Sequence, residues 1–383
     1  MDKVGVIALV VVLGLGPATA HAAPPPASWG HDGYGPGNTR YNPAESAVNA
    51  AAFNRLTLRW TVTPAPGPPG CAPEPVAPLA VGGRVFLLEK GGVAAYSAAT
   101  GKRLWLNSGF SHISTGPIVA GGLVLVADTR CESYSSYDGS LVALDAATGA
   151  QRWRRTAAWT IDTAVADAGT IVTSGSCDTC DDARHGVNAY RVSDGTPQWK
   201  HPNEVLAGPV SAGGTVLLRR TTGTTQIWAG RITTGAPAWG TDQASTAVAA
   251  NPAGTQFYLR DDSGLGARSA VDGRKVWHIP KEAGDLAADG RRVYVASAGR
   301  VNTYDAGSGR LLWTRALATP RAPVRAGGLL YVLTGKGTLT VLSPADGKPI
   351  SSKTAYSGLE RHVVPAGGQL LTSQRHTVRA YAP

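Results

Sequence analysis

The stretch Leu141–Trp153, LVALDAATGAQRW, recurs along this chain and restricts what it can fold into more than any other feature. Leu141, Ala143 and the neighbouring small residues alternate as a strand does. Asp145-Ala-Ala-Thr-Gly149 then forms a polar tight turn, and a second short strand ends on Trp153. Aspartate favours such a turn because its carboxylate accepts from nearby backbone N–H groups, and glycine adopts positive φ without steric cost. The unit is a β-hairpin with a tryptophan at a fixed offset past its turn. It returns at Val93–Trp105, Val187–Trp199, Ile227–Trp239, Leu265–Trp277 and Val301–Trp313, and in a degenerate copy, Leu339–Ile350, that aligns Ile with the tryptophan place. A short strand, Leu56–Trp60, carries the first repeat tryptophan. The spacings from Trp60 to Trp313 run 45, 48, 46, 40, 38 and 36, a period that calls for four strands per unit and hence a propeller.

A second signal counts the blades independently. Small-residue turns fall at Gly82-Gly83, Gly121-Gly122, Ala168-Gly169, Gly213-Gly214, Ala253-Gly254, Asp289-Gly290, Gly327-Gly328 and Gly367-Gly368, eight against seven complete hairpins. The counts agree if the C-terminal strand Thr377–Tyr381 pairs with Leu56–Trp60, so that the chain ends share one blade and no sheet edge is left open at the closure. The expected fold is all-β: an eight-bladed β-propeller of four-stranded antiparallel blades over residues 56–383.

The run Ala143-x-Asp145-x-x-Thr148-Gly149-x-x-x-Trp153 resembles the tryptophan-docking motif of the pyrroloquinoline quinone (PQQ) repeat family. The resemblance covers nearly all of the chain after residue 22. It implies that Trp60, Trp105, Trp153, Trp199, Trp239, Trp277 and Trp313 pack between adjacent blades. The opening Trp29…Asn38-Thr-Arg40-Tyr41-Asn-Pro43 is similar to the segment that begins secreted quinoprotein alcohol dehydrogenases. Such enzymes hold PQQ with Ca²⁺, typically beneath a vicinal cysteine pair, and carry a Trp-Asp-x-Asp-like segment on the substrate side. This chain has neither feature. The family also includes lipid-anchored propellers of outer-membrane protein assembly.

The rest of the sequence bears on location. Residues 1–22 read as an export signal: Lys3, the apolar run Val4–Leu15, and the A-x-A-like site Ala20-His21-Ala22. The run falls short of the roughly 20 residues a membrane span needs, and no cysteine precedes Cys71, so no lipid attaches at the cleavage site. A secreted protein without a transmembrane span, and a monomer, is expected. Residues 23–55 form a leader and a turn-dense packing segment, with a turn of helix within Asn49–Arg55. Four cysteines in an exported chain favour disulfides: Cys177 and Cys180 as a local staple, Cys71 with Cys131 over a longer loop. The net charge of +10 is scattered rather than gathered into a basic block, so no nucleic-acid partner is expected.

Chemistry, if present, belongs in the central channel. Aligning the residues that precede each small-residue turn places Thr115, Asp162, Ser245, Asp285, Arg321, Glu360, Arg361 and His362 on or near the innermost strands. Asp162, Arg321 and Arg361 stand out, because their counterparts in other blades are often small. Arginines and aspartates converging on a wet channel suit a small polar or acidic ligand, although a narrow channel also needs polar lining for its own sake. The histidines lack metal-ligand spacing, and no metal site is expected. There is no nucleophile elbow, phosphate loop or zinc-protease helix. The leading expectation is a binding or protein-interaction module without a redox cofactor. A PQQ- and Ca²⁺-dependent alcohol or polyol dehydrogenase is the alternative, and a cofactor-free enzyme using Asp162, Arg321 and Arg361 the third.

Overall fold

A computed structural model describes residues 28–66, 76–129, 139–177, 184–222, 226–335, 337–351, 362–374 and 377–383. The export signal, Cys71, Cys131, Cys180, Glu360 and Arg361 lie outside these residues. So does the cysteine pairing.

Eight sheets are arranged as blades, each of four antiparallel strands, with Tyr41–Asn42 added in parallel to Arg321–Ala326 of blade 7, and the innermost strands of neighbouring blades pack against one another around a central axis. Blade 2 illustrates the pattern: Ile118–Ala120, Leu123–Thr129, Gly139–Asp145 and Gln151–Thr156, each paired with the next. Its second strand is buried along its whole length because both faces are covered by neighbouring blades. The outermost strand is the most exposed, and its tryptophan is buried. Small residues dominate where strands converge on the axis, as in Leu286-Ala287-Ala288, all buried. Blade 8 closes as expected: Thr57–Val62 pairs antiparallel with Thr377–Ala382, with Leu58 opposite Tyr381 and Trp60 opposite Ala380. The expected helical turn is Ala50–Phe53, capped by the Asn49 side chain, which accepts from the N–H groups of Ala51 and Ala52.

The recurring turn works as its residues suggest. Asp145 Oδ1 accepts from the N–H groups of Ala147 and Thr148, both at 2.9 Å, and Gly149 has φ +75°. Those bonds, the Thr148 N–H foremost, hold the Asp145 carboxyl below its ordinary pKa. Each of the seven repeat tryptophans donates its indole N–H to a backbone carbonyl in the turn of the following blade. Trp153 reaches Val192 O at 3.0 Å, and Trp277 reaches Ala306 O at 2.9 Å. The same turn's glycine lies against the ring: a Cβ on Gly195 would stand 2.7 Å from Trp153 Cε3. Blade 7 differs from the sequence alignment. Its register sets Ser351 opposite Val341, as Trp313 is set opposite Thr303. Ser351 therefore holds the tryptophan place, not Ile350, because the offset is fixed by the turn glycine four residues earlier, here Gly347.

In an up-and-down blade the turns after the first and third strands share one face of the disc. Those after the second and fourth share the other. The glycine-rich and Asp/Gly turns all lie on the first face, and the starts of the innermost strands on the second. Strand ends flanking residues 67–75, 130–138, 178–183 and 352–361 lie on that second face too.

Candidate functional site

The central channel is closed at one end by the chain itself. Residues 29–42 run around the axis across the far ends of the innermost strands, visiting the blades in order. Trp29 and Ala80 exchange backbone hydrogen bonds in blade 1, and Gly30 O accepts from Val119 N in blade 2 at 2.8 Å. Pro36, Gly37, Thr39 and Arg40 carbonyls then accept from Ser211, Ala250, Ala288 and Arg325 of blades 4 to 7, at 2.7 to 2.9 Å. Asn42 Nδ2 ends the circuit on Pro365 O of blade 8 at 2.9 Å. Residues 29–42 thus pack along the blades, and Trp29 is buried edge-on against Tyr34.

What remains is a blind well of about 360 Å³ that opens on the second face. His31, Asp32, Gly33 and Asn38 form its floor, and Thr115, Asp162 and His362 line its wall. Asn38 is held by a 2.7 Å bond from its Nδ2 to Val248 O, at a positive φ of 47°. Gly33 is obligatory beneath it, since a Cβ there would lie 1.6 Å from Asn38 Oδ1. Thr160 Oγ1 donates to Asp162 Oδ1 at 2.8 Å, leaving that exposed carboxylate fixed at the mouth. His362 Nδ1 pairs with Ser373 Oγ at 3.2 Å. Burial pulls the His31 pKa down to about 4, against the opposing charge of Asp167, so its ring is neutral near pH 7. The described lining therefore presents two carboxylates, two imidazoles, a carboxamide and the hydroxyls of Thr115 and Thr163. That set donates and accepts, and suits a polar ligand.

Of the sequence candidates, the structure brings Thr115, Asp162 and His362 together at this well. Asp285 and Arg321 begin their innermost strands at the same mouth, exposed, and are not among the residues that line it. Ser245 is buried in a small recess of blade 5. The floor residues His31, Asp32 and Asn38 were not singled out by the repeat, because the repeat says nothing about a segment outside it. Their one local signal is the dense turn chemistry of Trp29–Pro43. Among the described residues, no three of His, Cys, Asp or Glu come together in a way that could hold a metal ion. No described helix is long and apolar enough to cross a membrane.

A PQQ-repeat family, described as outer membrane protein assembly factor BamB, matches residues 46–177, 183–322 and 297–382. No curated protein matches the chain. Among solved structures, BamB from Moraxella catarrhalis is 19% identical, with a TM-score of 0.60 over 86% of this chain and 100% of that one. The quinohemoprotein alcohol dehydrogenase from Comamonas testosteroni is 14% identical, with a TM-score of 0.64 over 93% of this chain and 80% of that one. A computationally designed protein, Ika8, is 14% identical, with a TM-score of 0.61 over 80% and 95%. At these identities the likeness is one of fold.

Proposed function

Because this chain belongs to the PQQ-repeat family described as outer membrane protein assembly factor BamB, we propose that it is an exported binding module without a resident redox cofactor. In this reading it engages a protein partner through the second face, around the mouth of the well. The observation that carries this is the one-sidedness of the molecule. One face is sealed by its own residues 29–42 and built from short uniform turns. The other gathers the well, Asp162, Thr115 and the strand ends that flank the longest insertions. Loops presented by a rigid scaffold are where binding residues concentrate. The cysteine pairs Cys177–Cys180 and Cys71–Cys131 would stiffen that face, and cleavage after Ala22 would release the protein outside the cytoplasm.

The described lining fits a quinone with Ca²⁺ poorly. Calcium takes six to eight oxygen ligands, whereas the described carboxylates on the well are Asp32 and Asp162, and among the described residues no third His, Cys, Asp or Glu is placed with them to hold a metal ion. Titration of PQQ with Ca²⁺ into the mature protein, followed by absorbance and melting temperature, tests the cofactor. No saturable change is expected, and binding near one equivalent overturns the cofactor-free reading in favour of a dehydrogenase. A photo-crosslinking residue at position 115 should capture a defined protein partner that the same residue at position 122, on the sealed face, does not. Equal capture at both positions overturns the assignment of the face.

A further inference from the structure

Away from the channel, the seam between blades 3 and 4 holds a groove of about 720 Å³. One tryptophan outside the repeat, Trp228, stands in it. Trp228 pairs with Gly240. In blades 1, 2, 3 and 5 the residue after the outer-strand tryptophan is Leu106, Arg154, Lys200 or His278, each opposite a smaller third-strand neighbour, whereas blade 8 shares the inverted order with Thr61 opposite Arg379. Here the outer strand reads Pro237-Ala-Trp-Gly-Thr241 and leaves Trp228 partly open. Gly230 is kept small by Leu218 and the same ring, since a Cβ there would meet Leu218 Cδ1 at 2.9 Å and Trp228 Cζ3 at 3.1 Å.

Size exchange alone would account for the tryptophan, but not for the carboxylate beside it. Glu204 is only 8% exposed. Its Oε1 accepts from Trp228 Nε1 at 3.1 Å and faces Arg220 Nε loosely at 3.8 Å. Its Oε2 is buried with no hydrogen-bond partner among the described residues. A buried carboxylate oxygen left without a donor is costly, and the Glu204 side chain that carries it lines a groove with room for a ligand. The groove's polar groups also limit what that ligand is. Arg220 disfavours a cation, while Glu204 and Asp242, the latter accepting from Gln226 Nε2 at 2.6 Å, disfavour an anion. What fits is a neutral ligand with adjacent donors and acceptors and a flat apolar face for an aromatic ring. Hydroxyls both donate and accept, and the volume is within the range of small-molecule sites.

We propose that this groove binds a neutral saccharide segment, with a sugar ring against Trp228 and neighbouring hydroxyls donating to the Glu204 carboxylate and accepting from Arg220. The site is separate from the well and does not depend on the function proposed for it. Calorimetric titration of the full mature chain with maltotriose, cellotriose and N,N′,N″-triacetylchitotriose tests it, with triglycine as a neutral non-sugar. Saturable one-site binding of at least one trisaccharide is expected, weakened at least tenfold in Glu204→Gln and in Trp228→Ala, and unchanged in Lys275→Ala. Melting curves show whether each variant is folded. If Trp228→Ala fails to fold, Trp228→Leu replaces it. No saturable heat with any trisaccharide up to about 10 mM, binding that survives both groove variants, or binding of triglycine alone overturns the proposal.

Discussion

The Glu45 carboxylate and the backbone N–H of Gly368 are joined at 2.9 Å, across 323 residues of sequence, at the seam where blade 7 has no tryptophan to offer blade 8. Its other oxygen accepts from the N–H groups of Ala47 and Val48, and its backbone carbonyl from Gly327 N of blade 7. Glu45 thus ties both blades of that seam to the N-terminal segment, while being only 4% exposed.

Glu45→Ala leaves three backbone donors, at Ala47, Val48 and Gly368, without their acceptor. Hydrogen bonds to charged groups contribute about 1.5–3 kcal/mol. A loss of about 2 kcal/mol or more in unfolding free energy is expected from denaturant titration. Hydrogen exchange should accelerate first in blades 7 and 8.

Trp153→Ala removes a ring that fills the seam between blades 2 and 3, and a destabilisation of about 3 kcal/mol is expected from thermal or urea melts. Gly195→Ala attacks the same contact from the other blade. Its added methyl meets the Trp153 ring, and its φ of +68° is unfavourable to alanine. Both variants should leave the groove and the well intact, and an unchanged melt for Trp153→Ala would count against a stabilising role for that contact.

The floor of the well should respond to pH through His31. Its folded-state pKa of about 4 lies below the ordinary value of 6.5. Between those values the unfolded chain binds more protons than the native one, so stability rises with pH. This contribution is complete above about pH 6.5 and is lost as pH falls toward 4. Melting temperatures of the wild type should fall over that window more steeply than those of His31→Gln.

Gly33→Ala places a methyl where Asn38 Oδ1 now lies. Asn38 must then surrender its bond to Val248 O, and overpacking of this kind costs about 1–3 kcal/mol. Proteolysis of the N-terminal segment should quicken in this variant. Asp162→Ala, at an exposed position, should leave the melt within about 0.5 kcal/mol of wild type.

The blade number, strand order and ring closure were legible in the sequence because their signals are local and repeated. Asp145, Gly149 and Trp153 sit within one hairpin, and the same geometry returns wherever that pattern does. Even the misplacement by one residue at Ile350 arose where the repeat degenerates. The tertiary structure alone decided the rest. Asn38 meets Val248 and Asn42 meets Pro365 at separations of 210 and 323 residues, so the plugged end of the channel follows from no local pattern. Alignment gathered eight candidate residues on the inner strands; of the six that lie among the described residues, Thr115, Asp162 and His362 line the well. The Glu204–Trp228 groove belongs to the same class. A side-chain cluster is made by where four strands of one blade and the edge of the preceding one come to lie, and that is fixed by packing rather than by spacing along the chain.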